Sequence, residues 1–347
     1  MDPNKATAYE CRANAYGSKG EYDKAIADCA EAIRLTPEQA MAYVARAWVY
    51  ERKDEHDKAV ADCTEAIRLD PNNATAYEGR AYAYGSKGDQ DKAIADFTEA
   101  IRLDPKHAPA YYYNRGFAYQ HTGDLDKAIA DYTEAIRLDP KLATAFSNRG
   151  NAYVRKGDQD KAISDFTEAI RLNSKNARAY YGRGRAFVLK GQWDKAIADY
   201  TEAIRLDPKF AEAYSGRGVV FESKGEYDKA IADYTEAIRL NQNDAYAHGS
   251  RGLVWYYKGK YDKAIADFTE VIRLDPKHAP AYYNRGLAYQ HTGNLDKAIA
   301  DYTEAIGLNP KYGQAYYERG YAYQKKGDNA KADADFAQAK TLGYKRP

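Results

Sequence analysis

The chain has 347 residues, and its 52 lysines and arginines are matched by 51 aspartates and glutamates with the signs interleaved throughout. That balance excludes the basic stripe needed to neutralise nucleic-acid phosphates. No apolar stretch approaches the roughly 18 residues of a membrane span, and Met1-Asp2-Pro3-Asn4-Lys5 is not the start of a signal peptide, so a cytoplasmic protein with no nucleic-acid partner and no membrane insertion is expected.

From Ala6 onward one pattern returns every 34 residues, in ten units that begin at Ala6, Ala40, Ala74, Ala108, Ala143, Ala177, Ala211, Ala245, Ala279 and Gly313. Such a period marks a solenoid, in which one helical unit cannot bury its apolar face alone and stacks on its neighbours. Residues 1–347 therefore read as a single array, against a length prior of two or three domains. The period breaks once, in the fourth unit, where Tyr111-Tyr112-Tyr113-Asn114 stands against Tyr282-Tyr283-Asn284 in the ninth. Tyr113 is taken as the inserted residue, and places below are counted from the first residue of each unit.

In chain order, residues 1–5 repeat the tail of a unit (compare Leu69-Asp70-Pro71-Asn72-Asn73), as if an upstream repeat had been cut away or the gene began there. Every unit then predicts two amphipathic helices. In the seventh, Tyr214, Arg217, Gly218 and Phe221 recur at three- and four-residue spacing, followed by Tyr227, Ala230, Ile231, Tyr234, Ala237 and Ile238. Between the two sets, Gly225 is a left-handed helix stop, and glycine holds this place in nine of ten units, with Asp54 the exception. The second helix ends before proline in seven units. Alanine is unbroken at the twentieth place and glycine or alanine at the eighth, where helices cross. Cys29 and Cys63 take the twenty-fourth place, aromatic in the other eight units, and read as small core side chains; Cys11 lies outside that set. The extra residue of the fourth unit predicts a π-bulge that keeps Tyr111 in the aromatic fourth place and Ala110 in the small third one, and that pushes Tyr113 outward beside Phe117 and His121. The alternative is a shift of the preceding residues into the loop, and Pro109 suits either. In the tenth unit Asp333 and Lys340 replace two isoleucines, which suits a solvent-facing C-terminal cap.

Aromatic at the fourth and eleventh places, small at the eighth, alanine at the twentieth and twenty-seventh, aromatic at the twenty-fourth and proline at the thirty-second: over residues 6–346 the chain resembles a tetratricopeptide-repeat (TPR) protein. Departures are few, namely His248 at a fourth place, Val271 for an alanine, and Ser174, Gln242 and Tyr344 for proline. The resemblance implies an all-α fold, a right-handed α-solenoid (superhelix) of ten helix-turn-helix TPR units.

One feature departs from the family in all ten units: arginine at the seventh place, where the common pattern has leucine, and aspartate at the twenty-third. Both lie eight residues from the turn, about 12 Å along antiparallel helices, so the two should face each other. The competing reading is a charged groove for a polyionic ligand; a half-buried pair closing each hairpin is favoured.

No phosphate loop, metal-ligand motif or nucleophile elbow occurs, and the six histidines are scattered. No catalysis, cofactor or metal is expected. Recognition remains. With the fourth, seventh, eighth and eleventh places packed inward, the other face of the first helix is, by resemblance, the concave groove where peptides or helices bind. Its candidate contacts are Trp48, Glu51, Arg52, Tyr82, Tyr112, Tyr113, Phe117, Gln120 and His121; then Asn148, Asn151, Arg155, Arg178, Tyr181, Arg185, Val188 and Leu189; then Tyr256, Tyr257, Tyr283, Asn284, Gln290 and His291. Arg155, Arg178 and Arg185 form a basic cluster. Each aromatic has a bland alternative, packing against the next unit. The basic and asparagine residues of the family's chaperone-tail clamps are matched only in fragments, by Asn14 and by Asn148 with Arg178. The leading function is a protein-protein interaction scaffold for a peptide or protein ligand. A targeting or substrate-recognition module cut from an enzyme is the second reading, and self-association through the end at residues 1–5 the third.

Overall fold

Small residues decide how the helices meet. A computed structural model of the chain describes residues 3–344, with side chains from Lys5 onward, and places every twentieth-place alanine, from Ala25 to Ala332, at no more than 1% exposure. The described residues are helices and short turns, with no strand among them. No helix among them is long and apolar enough to cross a membrane.

The chain divides into two units, Met1–Gly182 and Arg183–Pro347. The first contains α1 (Pro3–Ser18), α2 (Tyr22–Leu35), α3 (Ala40–Arg52), α4 (His56–Leu69), α5 (Ala74–Ser86), α6 (Gln90–Leu103), α7 (Ala108–Thr122), α8 (Leu125–Leu138), α9 (Ala143–Lys156) and α10 (Gln159–Leu172). The division falls inside α11 (Ala177–Leu189). The second unit continues with α12 (Trp193–Leu206), α13 (Ala211–Ser223), α14 (Tyr227–Leu240), α15 (Ala245–Tyr257), α16 (Tyr261–Leu274), α17 (Ala279–His291), α18 (Leu295–Leu308), α19 (Gly313–Lys325) and α20 (Asn329–Thr341). Within each unit, consecutive helices pair as hairpins and each hairpin packs on the next. The turn glycines from Gly20 to Gly327 hold φ between 68° and 88°, the left-handed region open to glycine, and Asp54 adopts the same conformation at φ 58°.

The ring at the twenty-fourth place lies flat against the eighth-place glycine of its own repeat. A Cβ on Gly116, Gly150, Gly218, Gly252 or Gly286 would come within 2.7–3.1 Å of Tyr132, Phe166, Tyr234, Phe268 or Tyr302. Where the eighth place is Ala13 or Ala47 the twenty-fourth is the smaller Cys29 or Cys63, whereas Ala81 stands with a buried Phe97. Burial pushes these thiols up, Cys29 to about 11 and Cys63 to about 12, so both are inert packing groups, while Cys11 is exposed.

All ten arginine-aspartate pairs form inside their own repeat, at 2.6–2.8 Å. The contact is bidentate, Nε to one carboxylate oxygen and Nη2 to the other, as at Arg115 and Asp131. Nine of the arginine side chains are 16–21% exposed and their aspartates lower still, which sets aside the charged-groove reading; Arg12, in the first repeat, is 55% exposed. Nη1 adds a second link, donating to the threonine of the preceding repeat: Arg115 to Thr98, Arg149 to Thr133, Arg217 to Thr201 and Arg319 to Thr303, at 2.9–3.0 Å. One guanidinium thus closes its hairpin and ties it to the last. Rings at the fourth and eleventh places flank it, as Tyr282 and Tyr289 flank Arg285 at 5.7 and 5.9 Å.

The inserted residue is not absorbed by a bulge. α7 is regular α-helix throughout. Tyr112, not Tyr111, stands over Arg115 at 5.3 Å in the fourth place. Tyr111 is buried in the third place, which is alanine in the other nine repeats, and Ala110 is exposed. The adjustment lies at the helix start. His278 caps α17 with ψ 82° and its Nδ1 accepts from the Ala281 amide, whereas His107 turns to ψ 7° and pairs with Asp104. An extra residue in the first turn displaces only a cap. A bulge in mid-helix would break the arginine and glycine register on which the hairpin depends.

Candidate functional site

Repeats two to six place their first-helix face as follows. Trp48 packs its ring on Tyr82 at 5.4 Å, Tyr82 meets Phe97 edge-on at 5.6 Å, and the Tyr82 hydroxyl accepts from the Asn114 amide at 2.6 Å. Burial, with Glu78 second, holds the Tyr82 hydroxyl above the usual tyrosine range, so it stays protonated. Glu51 is drawn into the frame: one oxygen pairs with His56 at 2.9 Å and the other accepts from Ser86 at 3.3 Å. Tyr112 belongs to the arginine sandwich rather than to this face. Tyr113, in the fifth place, packs on Tyr132 at 6.0 Å and its hydroxyl accepts from Asn148 at 3.1 Å. The Gln120 side chain accepts from Tyr132 and its backbone carbonyl from Arg155, each at 3.1 Å. Phe117 is 46% exposed, with the His121 ring 4.5 Å away. Arg52, His121 and Arg178 are exposed, and Asn151 and Tyr181 half-buried.

In the second unit Arg185 is exposed, Val188 half-buried and Leu189 58% exposed. Tyr256 lies edge-on to Tyr261 and to His291, which itself stacks on Tyr261 at 4.7 Å; burial raises Tyr256 to about 12. Tyr257 is 60% exposed and stacks on Tyr227. Tyr283 packs between Tyr302 and Tyr312, and Gln290 accepts from Tyr302 while donating to Glu318. Asn284 is half-buried. His248 joins the ladder: its two ring nitrogens face Asp267 and the Gln242 carbonyl, at 3.2 and 3.3 Å.

Much of the face read as contact surface is therefore spent on joining repeats. Trp48, Glu51, Tyr82, Tyr112, Tyr113, Gln120, Asn148, Tyr283 and Gln290 all have partners inside the chain. A feature that the sequence reading passed over lies between α5 and α7: a pocket of about 370 Å³ lined by Tyr82, Gly85, Ser86, Gln90, Phe97, Tyr113, Asn114 and Phe117 among others. Its signal was Gly85-Ser86 at the twelfth and thirteenth places, where most repeats carry larger side chains. Self-association through residues 1–5 rests in part on Met1 and Asp2, which lie outside the described residues.

Several solved structures are similar to this chain. A tetratricopeptide repeat protein from Parabacteroides merdae ATCC 43184 is 22% identical, with TM-score 0.54, over 75% of this chain and 98% of that one. YrrB, described as a TPR protein with an unusual peptide-binding site, is 28% identical, with TM-score 0.49, over 54% of this chain and 97% of that one. MamA from Desulfovibrio magneticus RS-1 is 24% identical, with TM-score 0.47, over 48% and 94%. No curated protein matches the chain in sequence. A family model described as TPR repeat matches residues 121–157, 150–189, 184–225 and 252–293. Models described as tetratricopeptide repeat match 12–74, 74–107, 97–130, 211–244, 279–312 and 313–342. With ten helical hairpins in register and these models covering nearly all of it, the chain belongs to the tetratricopeptide-repeat family.

Proposed function

We propose that the chain is a non-catalytic scaffold that holds a peptide or protein segment on the exposed faces of its first helices. One observation carries this reading. The ladder arginines and aspartates, the small residues and the twenty-fourth-place rings are consumed in packing and ion pairing, whereas the ninth and thirteenth places differ from repeat to repeat and leave apolar side chains in water at Phe117, Leu189 and Tyr257. Apolar and aromatic side chains left exposed on the first helices support a binding role, such side chains being the usual anchors of an interface. Around these anchors, Arg52, His121, Asn151, Arg178, Arg185 and His291 supply polar contacts that choose among ligands.

The test is selection from a random peptide display library on the immobilised full chain, followed by calorimetric titration of the selected sequences. The triple variant Phe117→Ala, Leu189→Ala, Tyr257→Ala should weaken them at least about tenfold and leave the melting temperature within a degree or two. No enrichment, or equal binding by the variant, removes the scaffold reading.

A further inference from the structure

Repeats three and eight carry the same floor under different covers. In the eighth, Ala264, Phe268 and Ala288 form a buried cluster, and Tyr256 at the twelfth place packs against it. The third presents Ala93, Phe97 and Ala118 at the equivalent places. The wall from the next repeat also matches, because α7 and α17 share Tyr-Asn-Arg-Gly before phenylalanine or leucine and Ala-Tyr-Gln-His after it. At the twelfth place of repeat three, however, stands Gly85, and there the pocket opens.

Neither the backbone nor packing requires that glycine. Gly85 lies within α5, has no left-handed φ, and a Cβ built on it would meet no atom within 4 Å. Helix propensity alone would favour almost any other residue. Elsewhere the twelfth side chain covers the ring at the twenty-fourth place: Gln120 bonds Tyr132, Glu222 bonds Tyr234 and Gln290 bonds Tyr302. Phe97 has no hydroxyl to offer such a partner. The first helix of the first repeat also ends in Gly17-Ser18, but there Val49 stands in the place of Ala118 and lies 3.9 Å from a Cβ on Gly17, over a Cys29 floor.

We infer that the pocket is a socket for one aromatic side chain, tyrosine above all, presented by the bound segment; the inference rests on the scaffold reading. The chain itself displays the occupied form in repeat eight, with Tyr256 seated on the three equivalent residues Ala264, Phe268 and Ala288. Tyr82, Phe97, Tyr113 and Phe117 offer ring faces and edges to a guest ring. Asn114 donates one amide N–H to Tyr82 and has a carbonyl oxygen that can accept from a phenol.

The test uses the full chain with alanine methyl groups labelled with carbon-13, and N-acetyl-tyrosinamide as the probe. Saturable shifts should be confined to Ala81, Ala93 and Ala118, and N-acetyl-alaninamide should cause none. Gly85→Tyr copies repeat eight and Gly85→Gln copies repeat four; each should fill the socket, weaken the probe at least tenfold and leave the melting temperature unchanged or higher. If Gly85→Tyr melts lower, Gly85→Gln decides. No shifts in the parent chain, or shifts that survive in the filled variants, overturn the socket. Peptides selected on the immobilised chain that show no aromatic preference and ignore Gly85→Gln would remove the socket and leave the scaffold. A socket that takes the probe on a chain selecting no peptide would remove the scaffold alone.

Discussion

Arg149 shows what one side chain does here. It is bidentate to Asp165 and donates to Thr133 of the preceding repeat, so it belongs to two repeats at once. A buried pair adds little net stability because desolvation offsets attraction, but stranding one charge is costly. Asp165→Ala should therefore destabilise the fold by about 3–5 kcal/mol, while Asp165→Leu with Arg149→Leu should recover most of the loss; equal losses in single and double variants, read from urea melts, would contradict this. Asp267 gives a pH dependence. Burial works to raise its pKa, but hydrogen bonds from His248 and Arg251 prevail and hold it below the ordinary carboxylate range. Since the folded value lies below the unfolded one, about 3.9, its stabilisation is complete above that unfolded value and is lost as pH falls through the folded one. His248→Ala should move the Asp267 midpoint upward in a carbon-13 titration and bring acid unfolding to higher pH.

At the scale of the element, helix ends absorb what helix middles refuse. The extra residue of α7 sits in its first turn, so deleting Tyr113 would remove a packed ring rather than relax a bulge. Asp54 does in the second repeat what glycine does in the others, at φ 58°. An L side chain in that region costs roughly 1 kcal/mol, partly returned because glycine loses more entropy on folding. Asp54→Gly should stabilise by about 0.5 kcal/mol, seen as a small rise in melting temperature. A fall would mean that the Asp54 side chain holds the turn.

Across the whole molecule, stability is a sum of repeats and their nearest-neighbour interfaces. In the last two repeats Ala305 and Ile306 pack with Ala315, and Tyr283 rests on Tyr312. Removing residues 313–347 should raise amide exchange in α17 and α18 and leave α1 to α8 unchanged. Acceleration spread evenly over the chain would show coupling beyond neighbours.

The sequence by itself determined the helices, the hairpin turns and the arginine-aspartate pairs. Each follows from spacing along one or two helices, where 3.6 residues per turn dictates which side chains face each other. Tertiary structure alone decided which exposed-looking aromatics are spoken for. Tyr113 and Tyr82 are claimed by Asn148 and Asn114 of the following repeats, while Phe117 is left in water, and that choice depends on side-chain lengths across an interface rather than on periodicity. The same holds for the start of α7, where two registers satisfy the pattern equally; the one built keeps the helix regular and gives up the histidine cap that α17 retains. It holds again for the pocket: Gly85 reads as one more small residue in a helix until the floor beneath it and the tyrosine on the matching floor of repeat eight are both in view.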